Sequence, residues 1–255
     1  MPTIQSENIA TPSPPLVIVR PLNKLLGTLP AEDYQRVLSR LTIVPLKFKQ
    51  ILHKQDEVIE HVFFPGGGAC SLTKVMQNGQ ITEIATIGSE GIIGAGVFFG
   101  DSQSFGDTIV QVADGDGFRM TIEAFLAEMD RRGPFYNRVL RYSQALTIQV
   151  MQTTVCNGLH SAEQRCCRWL LMTRDRAGSD ELALTHEFLA VMLGVRRPTV
   201  TLIVHALQQA GLIDTRRGMI QIVDRQRLEA ASCECYATVK ANFARLLPEL
   251  PGPTG

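Results

Sequence analysis

The stretch from Leu184 to Leu212, LTHEFLAVMLGVRRPTVTLIVHALQQAGL, constrains the chain more than any other. It reads as two short helices joined by a tight turn. Thr185 is suited to cap the first helix, and Glu187 places negative charge in its first turn, where the helix dipole favours it. Gly194 falls where that helix has to stop, because glycine enters the left-handed region at no steric cost. Pro198 falls in the first turn of the second helix, where a missing N–H costs nothing. Val200, Ile203, Val204 and Leu207 recur at helical spacing and predict the face that packs on the first helix. Arg197, Thr201 and His205 follow one another by a turn on the opposite face, which is not a core face. The small Ala190, Gly194 four residues later and the branched Val200 six beyond that give the spacing of a helix-turn-helix, whose second helix commonly enters the major groove.

The sequence that follows strengthens this reading. Asp214 to Val223 reads as strand, Arg216-Arg217-Gly218 turn and strand, a basic hairpin beside the second helix. Arg196 and Thr199 sit at the start of that helix, where side chains and backbone N–H groups can hold phosphates. Arg197 is the first candidate for a base contact, since its planar fork matches guanine O6 and N7. Pro198, Thr201, His205 and the cap Thr185 complete the expected DNA surface, with Arg216 and Arg217 on backbone phosphates. The 255-residue chain is formally neutral. Between His160 and Arg227, however, ten arginines face seven acids, a local excess of three positive charges. Placement, not net charge, carries the nucleic-acid reading.

Upstream, the period changes. Met1 to Pro15 is rich in Pro, Ser and Thr, and residues 1–21 are expected to be a disordered tail. They lack a charged start followed by an apolar run, so no secretory signal is read there. No apolar run approaches the roughly 20 residues of a membrane span. Asn23 to Leu41 predicts two helical pieces. From Thr42 to about Thr121 short β-branched runs alternate with turn residues, Asn78-Gly79 among them, which predicts a small all-β roll. Thr121 to Met129 predicts a short helix. Pro134 opens a long one, ending at the Asn157-Gly158 hinge. Phe135, Val139, Tyr142, Leu146 and Thr153 lie along one seam of it, the expected dimer interface. Ser161 to Gln164 resembles a capping box for the next helix. Asp224 is expected to cap one last helix, with a tail from Pro248.

The expected fold class is therefore α+β. A jelly-roll-like N-terminal sensor domain (22–133) is followed by a dimerisation helix and hinge (134–158). A winged helix-turn-helix (159–226) and a C-terminal helix with tail (227–255) complete the chain. The six cysteines lack the spacing of a secreted disulfide framework, and a cytoplasmic protein with reduced thiols is the simplest reading. Adjacent Cys166 and Cys167 project about 100° apart on a helix, poor geometry for one tetrahedral metal. They and the Cys233-x-Cys235 pair are read as structural thiols, with no metal site. The five histidines are scattered, and no catalytic spacing or phosphate loop stands out, so an enzyme is not expected.

This order of elements, with GVRRPTV at Gly194–Val200, NGLHSAEQR at Asn157–Arg165 and GSEGIIGAGVFFG at Gly88–Gly100, resembles the CRP/FNR family of bacterial transcription regulators. The likeness runs over roughly Leu22 to Arg227. It implies a homodimer on a two-fold symmetric double-stranded DNA site that recruits or blocks RNA polymerase, under a small-molecule effector of unknown identity. The carried-over effector segment includes Gly94, Ala95, Phe98 and Phe105. Here Ala95 stands where members that bind cyclic AMP have a glutamate, and Phe105 and Gly106 stand where they have an arginine and a serine. A cyclic phosphate without a cationic partner is poorly held, so tight cyclic AMP binding is not expected. No cysteine precedes Cys70, which removes the iron–sulfur cluster of the oxygen-sensing branch. His53 and His61, the candidate haem ligands, are read as ordinary polar residues. The competing reading is a cyclic-nucleotide-like regulatory or structural dimer module without specific DNA binding.

Overall fold

The computed structural model describes residues 23–112 and 115–247. The tail expected over 1–21, residue Leu22 and the tail from Pro248 lie outside them. Two short helices open the described chain, α1 (Lys24–Gly27) and α2 (Ala31–Leu38). Seven strands follow: β1 (Thr42–Pro45), β2 (Ile51–His53), β3 (His61–Pro65), β4 (Ala69–Val75), β5 (Ile81–Ile87), β6 (Asp107–Val112) and β7 (Asp116–Thr121). They form two antiparallel sheets, β1-β7-β3 and β2-β6-β4-β5. The β4–β5 hairpin turns at Asn78-Gly79, where Gly79 takes φ +79°.

Next come α3 (Ile122–Asp130), capped by Thr121, and the 26-residue α4 (Pro134–Leu159). Then follow α5 (Ala162–Ala177), β8 (Glu181–Leu182), α6 (His186–Leu193), α7 (Arg197–Gln209), β9 (Ile213–Arg216) and β10 (Met219–Ile222). The chain closes with α8 (Arg225–Ala231) and α9 (Cys235–Leu246). The capping box on α5 is formed by Ser161 and Gln164.

Two apolar cores divide the molecule. The first fills the roll with Leu26, Val62, Phe64, Ile93, Met120 and Phe125. The second holds Trp169, Leu189, Val200, Val204, Leu207 and Ile220 around α5, α6 and α7. Cys166 and Cys167 lie wholly inside this second core, as the structural-thiol reading expects.

Helix α4 corrects the sequence reading of its faces. Phe135, Val139 and Tyr142 are 1 %, 0 % and 1 % exposed and belong to the roll's own core. Phe135 packs edge-on to Phe125 and tilted against Phe64. The Tyr142 ring lies so close over Gly91 that a Cβ there would stand 2.5 Å from it. Leu146 packs against the same core. Thr153 hydrogen-bonds the Gln149 carbonyl and accepts from Arg168. Phe135, Val139 and Tyr142, three of the five residues expected to face a partner, are therefore engaged within the chain, while Leu146 and Thr153 stay half-buried. Both faces of this helix are apolar, and periodicity cannot say which one the roll covers.

Two smaller differences concern element ends. Asn157 and Gly158 lie inside α4, and the break falls at His160, whose backbone turns extended. The last helix is two helices, interrupted at Ser232-Cys233-Glu234.

Candidate nucleic-acid interface

Helices α6 and α7 meet at a bend of 108°, within the range of a helix-turn-helix. The Thr185 hydroxyl accepts the Phe188 N–H at 3.1 Å and fixes the start of α6. Gly194 closes that helix at φ +63°. Pro198 occupies the first turn of α7, and Val200, Ile203, Val204 and Leu207 turn inward. Burying this stripe leaves Arg196, Arg197, Pro198, Thr201, Leu202 and His205 exposed together, with Thr199 half-buried at the helix start. Leu202 is 71 % exposed, a large apolar side chain in the middle of a polar face.

Internal contacts hold this face in order. Arg197 Nε lies 3.1 Å from Glu187 Oε2, and both side chains are well exposed. Thr201 Oγ1 donates to the Arg197 carbonyl and pairs with His186 Nδ1 at 3.0 Å. The hairpin is paired in register from Met219–Arg216 to Ile222–Ile213 and carries β8 on its other edge, in the order β8-β10-β9. Its two-residue loop is Arg217-Gly218, with Gly218 at φ +72°. Arg216 and Arg217 are both exposed at this tip. Thr215 Oγ1 donates to Gln208 Oε1 at 3.0 Å, tying the hairpin to the end of α7.

The helix-turn-helix unit is docked on the roll through polar contacts that periodicity does not announce. Trp169 Nε1 donates to Glu83 Oε1 at 2.9 Å across the boundary between α5 and β5. Ser71 and Thr86 also donate to Glu83, yet burial dominates and pushes its carboxyl above the ordinary range. Arg176 pairs with Glu90 at 2.9 Å and donates to Gln149 Oε1 at 2.7 Å. Gln149 in turn donates to the Thr86 carbonyl at 3.0 Å. A cleft of about 490 Å³ opens beside this network, between α1, α4, α5 and α9.

The four residues expected at an effector site are arranged otherwise. Gly94 and Ala95 open a tight 3-10 turn, Ala95–Phe99. Phe98 meets Tyr136 edge-on at 5.7 Å, whereas Phe105 is 67 % exposed beneath the Lys74 ammonium. The roomy cleft is lined by none of the four. His53 is buried, with Nε2 2.8 Å from the His61 carbonyl, and burial lowers its pKa.

Fold and surface together define a β-roll joined through one long helix to a winged helix-turn-helix, the architecture of CRP/FNR-type regulators. Residues 164–231 match the Crp-like helix-turn-helix domain. Among solved structures, a CRP/FNR-family regulator from Eubacterium rectale is 19% identical, with TM-score 0.63 over 81% of this chain and 96% of that one. FixK2 from Bradyrhizobium japonicum is 17% identical, with TM-score 0.63 over 76% and 98%. The c-di-GMP-responsive regulator CLP of Xanthomonas campestris is 13% identical, with TM-score 0.63 over 76% and 99%. No curated protein matches in sequence. The chain thus carries a Crp-like helix-turn-helix domain within the fold of the CRP/FNR regulators.

Proposed function

We propose that the protein is a sequence-specific, double-stranded-DNA-binding transcription regulator that acts as a homodimer. The observation that carries this reading is the exposed face of α7 beside an arginine-tipped hairpin. Arg197 reads a guanine once it leaves Glu187, and exposed ion pairs of that kind hold only about 0.2–1 kcal/mol. Thr201, Leu202 and His205 read the bases that follow, Leu202 through apolar contact of the kind a thymine methyl offers. Thr185 at the start of α6 and Arg196, Pro198 and Thr199 at the start of α7 set those helix ends against phosphates, and Arg216 and Arg217 hold the backbone.

The dimer forms through the outward face of α4. Met151, Val155 and Leu159 are 63 %, 48 % and 78 % exposed. With half-buried Ile148 they recur at the three- and four-residue steps of a coiled-coil seam. Isolated exposed apolar residues are normal, but a continuous stripe marks an interaction surface. A DNA partner supports a cytoplasmic protein, and among the described residues no single helix is long and apolar enough to cross a membrane. A dimer so seated recruits or occludes RNA polymerase. A small-molecule effector acts from the cleft between α1, α4, α5 and α9 rather than from Gly94, Ala95, Phe98 and Phe105, because that cleft touches the roll and the DNA-binding unit together.

Footprinting with the wild type, Arg197→Ala and Arg216→Ala tests the assignment. Arg197→Ala costs about 1–3 kcal/mol on the preferred site and relaxes one base position in each half-site. Arg216→Ala weakens binding to all sequences alike and lowers the salt slope by about one. A footprint indifferent to Arg197→Ala would remove that residue from base reading.

A further inference from the structure

We propose that Cys156, His160, Cys233 and Cys235 form a four-coordinate site for a divalent cation of the zinc class. Their four ligand atoms lie within 4.8 Å of one another. Cys156 Sγ is 3.5 Å from Cys233 Sγ, and Cys235 Sγ is 3.5 Å from His160 Nδ1. In a tetrahedral zinc site, bonds of about 2.3 Å to sulfur and 2.1 Å to nitrogen put sulfurs about 3.8 Å apart and sulfur from nitrogen about 3.6 Å. The Cys156–Cys233 and Cys235–His160 pairs already stand near those distances, and the remaining pairs lie within 4.8 Å. Its three thiols are buried, and His160 is half-buried at the rim.

The surroundings match what metal ligands need. His160 Nε2 lies 3.2 Å from Glu234 Oε2. With its Nε2 proton donated in a hydrogen bond to that carboxylate, the ring turns Nδ1 towards Cys235 Sγ as a ligand nitrogen. A carboxylate on the far nitrogen is the usual device that orients a metal-binding histidine. Gln152 Nε2 approaches Cys235 Sγ at 3.1 Å, a donor for a sulfur carrying charge. Three thiols packed as small apolar groups would account for the burial. That packing accounts for neither the aimed imidazole nor the amide donor. On binding, each of the three thiols releases its proton to solvent, so three thiolates and one neutral imidazole face the cation.

The fold explains why the four residues meet. Cys156 is in the last turn of α4, and His160 is the residue at which that helix ends. Cys233 and Cys235 sit at the α8–α9 break, which turns both towards α4. A cation here ties the end of the connecting helix to the C-terminal helix pair and fixes the direction in which α5 and the helix-turn-helix depart. The site itself does not depend on the DNA-binding reading.

The test is metal content and cobalt substitution of the full-length protein, purified under reducing conditions with zinc or Co²⁺ as the added metal. The expected result is about one metal per chain, with the ligand-field and sulfur-to-cobalt charge-transfer bands of tetrahedral thiolate coordination. A Cys233→Ser/Cys235→Ser double variant loses the metal and the bands, whereas Cys167→Ala keeps both. Glu234→Gln changes only an exposed side chain, so it folds. It retains the site but weakens metal affinity about 10- to 100-fold. The proposal is overturned if the wild type binds neither zinc nor Co²⁺, or if the double variant keeps its metal.

Discussion

At the scale of single residues, the division of α7 into a buried and an exposed face was legible because the pattern is local. Helical spacing separates Val200, Ile203, Val204 and Leu207 from Arg197, Thr201 and His205 with no knowledge of the rest of the fold. What spacing could not supply is the partner each side chain finds from far away. Glu83 reads as one polar residue in a strand, yet it lies half-buried and takes a hydrogen bond from Trp169, 86 residues on. Its pKa is raised by burial, in spite of the donors around it. Because the folded value exceeds the unfolded one, Glu83 contributes most stability below the ordinary carboxylate range. That contribution is lost as pH rises through the raised value. Glu83→Gln should therefore melt at higher temperature than the wild type at neutral pH, and the gap should close as the medium is acidified. Thermal denaturation across pH measures this, and a gap that stays constant would show that the ionised carboxylate costs nothing there.

At the scale of elements, α4 holds the lesson. Its length and start are written in the sequence by Pro134 and the continuous helical pattern that follows. Its inward face is not, because an apolar stripe says only that something covers it. The roll covers Phe135, Val139 and Tyr142, which leaves Ile148, Met151, Val155 and Leu159 facing outward. If a second copy covers that stripe, Met151→Asp and Val155→Asp should each convert the dimer to a monomer with the fold intact, since neither side chain supports the chain's own core. Analytical ultracentrifugation with circular dichroism distinguishes the outcomes, and a dimer of unchanged stability would put the interface elsewhere. The interrupted C-terminal helix was similarly hidden. Leu228, Tyr236 and Val239 fit one helical stripe, whereas the break at Ser232-Cys233-Glu234 follows from long-range packing on α4. The same long-range packing brings Cys156 and His160 to Cys233 and Cys235. Sequence spacing showed only the Cys233-x-Cys235 half of that cluster.

At the scale of the whole molecule, a β-roll and a helix-turn-helix unit share one boundary. Glu83–Trp169, Glu90–Arg176 and Gln149 bridge it. Two such units related by a two-fold axis along α4 would present two α7 helices to successive turns of one face of DNA, about 34–36 Å apart. The measurement that tests this most directly is genomic footprinting of the wild-type protein beside the Met151→Asp variant. The account predicts protected sites with two-fold symmetric half-sites centred about one helical turn, or a whole multiple of it, apart. It also predicts that the monomeric variant loses them. Protection without sequence preference, or symmetric sites occupied equally well by a monomer, would contradict it.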